Sequence, residues 1–412
     1  MARDNLLVGV DIGSSKIAVC VGTMTEDGLQ IVGISAVTHT GLRKGVVTDL
    51  EETVSAISHA LEEAERMAGT NLAHAYVAIN GAHIESRLAK GIVAISKPNG
   101  EIDQNDVERV LDAARTATLP QNHEPIHVFP LHFIVDGQSD VRDPVGMTGI
   151  RLEVEALIVS ASAAASRNLT KAVYQSGLEI DGLVFGPLAT AKAITSKKQR
   201  ESGVALVDFG AGSTNIAIFE EGQVIDAISI PIGSMHITND IAIGLRTNLD
   251  VAETIKMKYG TVLPDGVRDS DQINLSTLDP GESDKVSRKQ VAEIIEARVL
   301  EVFHLIKERL QEIGKDGLLP AGLIFTGGGS ELEGLTELAR QNLHLPAQVG
   351  FPVVPMSGIV DKIDSPLYAT SVGLVLWALE EHPDTSAPLW QGFGKFGGVF
   401  DRFKGILKNF TN

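Results

Sequence analysis

The sequence predicts an α/β protein in which one unit is used twice, followed by a terminal segment of different character. Three observations carry that prediction. A series of strand, Asp-x-Gly turn, strand, turn and strand begins at Leu6 and recurs at Val204, with Asp208 following Asp11 by 197 residues in a chain of 412. Hydrophobic residues make up 43% of the chain, enough to fill sizeable cores. Of the 13 phenylalanines, five (Phe393, Phe396, Phe400, Phe403 and Phe410) fall within the last twenty residues.

In the first unit, Leu6 to Val10 reads as a strand, Asp11-Ile12-Gly13-Ser14-Ser15 as a tight turn and Lys16 to Gly22 as a second strand. Asp27-Gly28 turns the chain into a third strand, Leu29 to Ile34. Cys20, the one cysteine, sits in the apolar run Ile17 to Val21 and is expected in the core. Helical spacing follows over Leu50 to Met67 (Val54, Ile57, Leu61, Ala64) and over Asp106 to Ala117. Residues 84–160 are strand-rich and broken by Pro98-Asn99-Gly100, Asp136-Gly137 and Asp143-Pro144, which suggests an inserted subdomain.

The second unit repeats the pattern: strand Val204 to Val207, turn Asp208 to Thr214, strand Asn215 to Phe219, turn Glu221-Gly222, strand Val224 to Ile230. Asp265 to Asp284 is polar and turn-rich, a loop. Val286 to Ile313 predicts a long amphipathic helix, and Ser287-x-x-Gln290 can cap its start. From Glu381 to Gly394 the chain turns Pro/Gly-rich, as a linker does.

Charge narrows the function classes. With 35 Lys plus Arg against 53 Asp plus Glu, the net charge is −18, which repels phosphate backbones and, as an average, anionic lipid. Nucleic acid is excluded as a partner on this ground. The amino-terminal run is short and interrupted by Asp11, unlike a signal peptide, and no apolar stretch approaches the ~20 residues that span a bilayer. A cytoplasmic protein is expected unless something anchors it.

Three loops carry the chemistry. Two are the hairpin turns Asp11-Ile12-Gly13-Ser14-Ser15-Lys16 and Asp208-Phe209-Gly210-Ala211-Gly212-Ser213-Thr214-Asn215, whose backbone N–H groups can close on an anion. In each, an Asp ends the preceding strand, where a carboxylate can hold water around Mg²⁺. The third, Phe325-Thr326-Gly327-Gly328-Gly329-Ser330, is expected to lead from a strand into a helix near Glu331, with bare glycine backbone beside a nucleoside. There is no G-x-x-x-x-G-K-[ST] P-loop. Gly210-x-Gly212-x-x-Asn215 leads into a strand, whereas a dinucleotide fingerprint opens a helix.

These loops resemble those of the actin-like ATPase superfamily, in which two duplicated α/β lobes close on ATP and Mg²⁺. Longer stretches resemble one branch of it, the FtsA family of bacterial cell-division proteins: Gly41-Leu42-Arg43-Lys44-Gly45-Val46-Val47, Arg142 to Leu152, Thr238-Asn239-Asp240-Ile241-Ala242, Ala252-Glu253-x-x-Lys256 and Ile294 to Arg298. The resemblance implies an actin-like duplicated two-lobe fold with an inserted α+β subdomain and a C-terminal amphipathic helix. It implies a first lobe from 1–83, 161–195 and 360–380, the insert at 84–160, and a second lobe at 196–359 with a smaller subdomain near 231–300. Pro187 to Ser196 and Ser365 to Leu379 would be the connecting helices.

The same resemblance implies roles residue by residue. Gly13, Ser14, Ser15 and Lys16 would meet phosphates from one lobe, and Gly210, Gly212, Ser213, Thr214 and Asn215 from the other. Asp11 and Asp208 would lie near Mg²⁺. Gly327, Gly328 and Gly329 would pass under the nucleoside, with Glu253 and Lys256 on its adenosine side. Relatives that hydrolyse ATP carry an acid or amide near the first connecting helix, whereas Phe185-Gly186-Pro187-Leu188 offers none, so slow or negligible turnover is expected.

The end of the chain reverses the average charge. From Lys395, Phe396, Val399, Phe400, Phe403, Ile406, Leu407 and Phe410 recur at three- and four-residue steps, and Lys395, Arg402, Lys404 and Lys408 against Asp401 leave +3. A short helix with such faces suits the headgroup boundary of an anionic membrane. The expectation is therefore an adaptor at the cytoplasmic face of the membrane, at the division septum. The family resemblance supplies its partners: the carboxy-terminal peptide of FtsZ, other division proteins and copies of itself, with residues 84–160 as a self-contact region. Arg288, Lys289 and Arg298 are candidate contacts for the acidic peptide, or else a solvated face. The competing classes are a pilus-assembly ATPase and a small-molecule kinase, neither of which needs the basic amphipathic end.

Overall fold

The structure, a computed structural model, describes residues 6–117, 119–279, 285–353 and 355–381. Most of the expected linker and the whole terminal segment lie outside them, with the membrane candidates Phe396, Val399, Phe400, Arg402, Phe403, Lys404, Ile406, Leu407, Lys408 and Phe410.

Two sheets frame the molecule. The first runs in the order Glu179–Phe185, His74–Ile79, Leu6–Ile12, Lys16–Thr25, Gly28–Thr38 and Ser357–Gly358. The second runs Ala347–Val349, Leu323–Thr326, Val204–Phe209, Thr214–Glu220 and Gln223–Ile230. Each contains a three-stranded antiparallel meander extended by two parallel strands on the far side of its first strand, and the first sheet adds Ser357–Gly358, parallel to Gly28–Thr38, at the other edge. Parallel strands with both faces covered read as unbroken apolar runs, and Val204–Phe209 is buried at every position.

The duplication extends to a defect. The first meander has a register shift between Val21 and Gly22 and the second between Ile218 and Phe219, again 197 residues apart. Both hairpin turns close the same way, Gly13 N–H donating to Lys16 O at 3.0 Å and Gly210 N–H to Ser213 O at 3.1 Å. Lys16 therefore corresponds to Ser213, and Ala18, which faces Asp11 across the hairpin, to Asn215, which faces Asp208.

Helices Gly186–Ile194 and Ala369–Glu381 join the lobes and pack on one another. Their closeness rests on small residues: Thr190 and Thr370 hydroxyls meet at 2.9 Å, and a Cβ at Gly373 would overlap the carbonyl of Ala189. One core lies around the first sheet and these helices, and Cys20 is buried within it. Burial alone pushes that thiol up to about 12. A second core lies between the second sheet and helices such as Arg288–Glu312. Ser287 caps that long helix by accepting from Gln290 N–H.

The insert has its own core. Strands Ile84–Ala94, Arg151–Ser162, His123–Val135 and Gln138–Val141 form a sheet under helix Gln104–Ala117. It is anchored to both lobes. His127, on strand His123–Val135, accepts the backbone N–H of Phe185 at 3.0 Å. On the other side Asp226, 1% exposed, takes two hydrogen bonds of 2.7 Å from Arg309 and one of 2.9 Å from Ser86 of the insert.

Two expectations are corrected. The segment expected as loop from Asp265 contains the strand Gln272–Asn274, which pairs with Lys285–Ser287. The third glycine loop enters a 3-10 turn, Gly328–Glu331, and the helix starts only at Leu335. Gly334, at φ +85°, turns the chain first, a conformation that costs a residue with Cβ.

Candidate nucleotide site

The three glycine loops meet at the carboxyl ends of the central parallel strands, where open α/β sheets place their ligands. The first two face each other across the interlobe cleft. A Cβ on Gly212 would overlap Ser14 Oγ and come within 3.0 Å of Lys44 N. Ser14 Oγ itself accepts the backbone N–H of Gly45 at 3.0 Å. His39 braces the first turn: its Nδ1 accepts from Gly41 N–H, so its Nε2 donates to Gly13 O at 2.8 Å.

The third loop packs behind the second. A Cβ on Gly327 would overlap the carboxylate of Asp208, and one on Gly329 would stand 2.6 Å from the ring of Phe209. Thr326 Oγ1 donates to Pro366 O at 3.1 Å and ties the loop to the segment entering the second connecting helix. A cavity of about 400 Å³ opens beside this loop, lined by Ser330, Glu331, Leu335, Phe351 and Pro366 among others.

Charge is concentrated between the hairpins. Asp208 is buried and Asp11 half-buried with its Oδ1 sealed from solvent, and this loss of solvation pushes Asp11 up to about 6 and Asp208 to about 7. Burial is the largest cause in each, and for Asp208 the charge of Asp11 adds to it. Lys16 is half-buried beside them and its ammonium is held below its ordinary range by loss of solvation, against the pull of Asp11, Asp208 and Glu331. Its Nζ donates to Leu367 O and stands 5.2 Å from the centre of the Tyr368 ring.

Asp11 Oδ1 is buried with no hydrogen-bond partner. Two neighbouring carboxylates, one with an orphan oxygen, both raised by desolvation and served by the single ammonium of Lys16, fit a hydrated Mg²⁺. Among the described residues no three His, Cys, Asp or Glu side chains converge, so such an ion would take most of its ligands from water and phosphate.

Asn215 links the lobes. Its Oδ1 accepts from Ser229 Oγ at 2.7 Å, from Ser213 Oγ at 3.3 Å and from Gly81 N–H of the first lobe at 3.3 Å. Its Nδ2 faces Asp208 Oδ2 at 3.5 Å. Thr214 turns away and donates to Ile232 O at 2.7 Å. Ser15 holds the first loop through its carbonyl, which accepts from His39 N–H at 3.1 Å.

Glu253 and Lys256 form an ion pair of 2.7 Å, and both meet Thr238. Lys256 is 7% exposed and also donates to Ser234 O, so the pair is built into the small subdomain rather than lying loose on a helix surface. The three peptide candidates are already paired within the chain. Arg298 bonds Asp240 through two nitrogens and also Glu301, Lys289 bonds Asp269, and Arg288 bonds Tyr259 O and Glu333.

Sequence reading missed Asn80-Gly81 and the Leu367-Tyr368 corner. A signal for the former was present, since Asn80-Gly81 ends the apolar run Tyr76 to Ile79 as Asp11 and Asp208 end theirs.

Two lobes of one topology, closing glycine hairpins and paired acids on a shared cleft, define an actin-like fold. Solved structures agree on the fold: a type IV pilus PilM–PilN complex matches at TM-score 0.68 with 17% identity, over 90% of this chain and 98% of that one. MreB5 of Spiroplasma citri bound to AMPPNP matches at 0.53 with 13% identity, over 93% and 97%. The model of the cell division protein FtsA matches residues 205–373, and that of the SHS2 domain inserted in FtsA matches 81–160. Cell division protein FtsA of Pseudomonas aeruginosa is 40% identical over 92% of this chain and 90% of its own length. That of Bacillus subtilis is 38% identical over 92% and 84%. The chain belongs to the FtsA family of cell-division proteins.

Proposed function

We propose that this protein is an ATP-binding, actin-like adaptor that tethers FtsZ filaments to the cytoplasmic face of the membrane at the division septum and assembles with copies of itself. The observation that carries the nucleotide part is the convergence of three glycine loops on Asp11, Lys16 and Asp208. Backbone N–H groups of the hairpins would take the phosphates, Lys16 would neutralise them, and the two acids would hold hydrated Mg²⁺. Glu253 and Lys256 would border the adenosine. Turnover would be slow.

Membrane attachment is assigned to residues 395–412, because their aromatic and basic residues alternate as in interfacial helices. Among the described residues no helix is long and apolar enough to cross a membrane. For the acidic FtsZ peptide, Lys289 and Arg288 are better donors than Arg298. Their partners Asp269 and Glu333 have side chains 86% and 71% exposed, and such pairs exchange at little cost.

Liposome co-sedimentation tests the whole reading, with anionic vesicles, FtsZ, and ATP present or absent. FtsZ should pellet with vesicles only when this protein is added, and a variant ending at Gly394 should leave both in the supernatant. Vesicle binding by that truncated variant would overturn the anchor.

A further inference from the structure

We propose that Asn80 supplies the carboxamide that orients the water attacking the γ-phosphate of bound ATP, a role that rests on the nucleotide reading above. Asn80 follows strand His74–Ile79, which lies parallel between the other two central strands of its sheet. Ala78 stands beside Asp11 on one side and Val184 on the other. The residue two further on therefore lies at the mouth of the cleft, at the level of the first phosphate hairpin.

Its side chain is held in one orientation. Asn80 Oδ1 accepts the backbone N–H of Gly186, the first residue of the connecting helix, at 3.1 Å. That bond fixes the amide plane with its oxygen on the helix start and leaves the NH₂ group as the side chain's donor. The amide fills the space that a side chain at position 186 would need: a Cβ there would overlap Oδ1 and stand 2.6 Å from Nδ2. Phe185 to Leu188 carry no polar side chain, and the amide beside Gly186 comes from the end of another strand.

The backbone around Asn80 is equally fixed. A Cβ at Gly45 would overlap Asn80 O, and one at Gly81 would overlap Lys44 O. Gly81 N–H donates to Asn215 Oδ1, and Asn215 in turn faces Asp208. Asn80 thus lies between Ala78, level with Asp11, and Gly81, bonded to the residue that faces Asp208.

An amide in that place can hold a water by donating to its oxygen, as the glutamine of GTP-hydrolysing switches does. In the step, the water oxygen bonds to the γ-phosphorus while the bond from that phosphorus to the β-bridging oxygen breaks. The electron pair stays on ADP, and both water protons leave on the phosphate, giving ADP and dihydrogen phosphate. Asn80 orients but takes no proton, so the expected rate is slow rather than zero.

The test uses the full-length protein with Mg-ATP, measuring single-turnover phosphate release beside equilibrium binding of a fluorescent ATP analogue and thermal unfolding. Asn80→Ala should slow release at least about tenfold, within the range for a positioned group, while affinity changes less than threefold. Adding Gly186→Gln to that variant returns an amide to the vacated space and should restore part of the rate. Equal rates in wild type and Asn80→Ala, a rate and affinity that fall together, no recovery in a folded, ATP-loaded double variant, or no release by the wild type would each overturn the assignment. Failure of the wild type to bind ATP at all would instead strike the nucleotide reading on which it rests.

Discussion

Gly212 of the second hairpin and Ser14 of the first meet with no room for another carbon, since a Cβ on Gly212 would stand 2.8 Å from the Cβ of Ser14. The closed cleft thus depends on an absent side chain. Gly212→Val should hold the hairpins apart, weaken ATP-analogue binding at least about tenfold and move the unfolding midpoint by only a few degrees, the order of a mild overpacking. Titration with the analogue and a thermal melt check both parts.

A second outcome concerns the link between insert and second lobe. Asp226 is almost fully buried and Arg309 is its charged partner. Arg309→Met strands that carboxylate and should cost about 3–5 kcal/mol in denaturant unfolding, whereas Ser86→Ala removes one hydrogen bond and should cost about 1 kcal/mol. A double-mutant cycle separates the two contributions.

The acid limb of stability should depend on His127. Burial lowers its pKa to about 3, and Nε2 must stay bare to accept from Phe185 N–H. Between that value and the ordinary 6.5 the unfolded chain binds the proton and the folded chain does not, so stability falls as pH falls. From pH 6.5 to 5 the loss is about 2 kcal/mol for this group. His127→Gln keeps an acceptor without a titrating ring, and urea unfolding at pH 7 and pH 5 should then differ by that much less.

Membrane binding should respond to salt and to charge. Replacing Arg402, Lys404 and Lys408 with Glu should abolish sedimentation with anionic vesicles, each basic residue being worth about 1 kcal/mol near such a surface. Phe400→Asp should abolish it on neutral and anionic vesicles alike.

Much of the fold was legible because its signals are local. Asp-x-Gly followed by β-branched runs marks a hairpin within seven residues, so both meanders and their correspondence could be read from spacing. The paired acids were visible for the same reason. Asn80 was not, because parallel pairing of strands more than sixty residues apart brings it to Gly186, and no local pattern encodes that contact. The partner of Arg298 was hidden likewise: Asp240 is distant in sequence, so a basic residue on a helix looked free when it was spoken for. The start of the helix after the third loop was misplaced because a polar turn ending in Gly334 resembles a first helical turn until its backbone is seen.

The isolation of Cys20 makes this chain a convenient object for spectroscopy. Its thiol is sealed in the first core and stays protonated at any working pH, so maleimide dyes and spin labels will pass it by. A cysteine introduced on each lobe would be the pair that reacts, and the distance between two dyes would report opening and closing of the cleft in the otherwise native sequence.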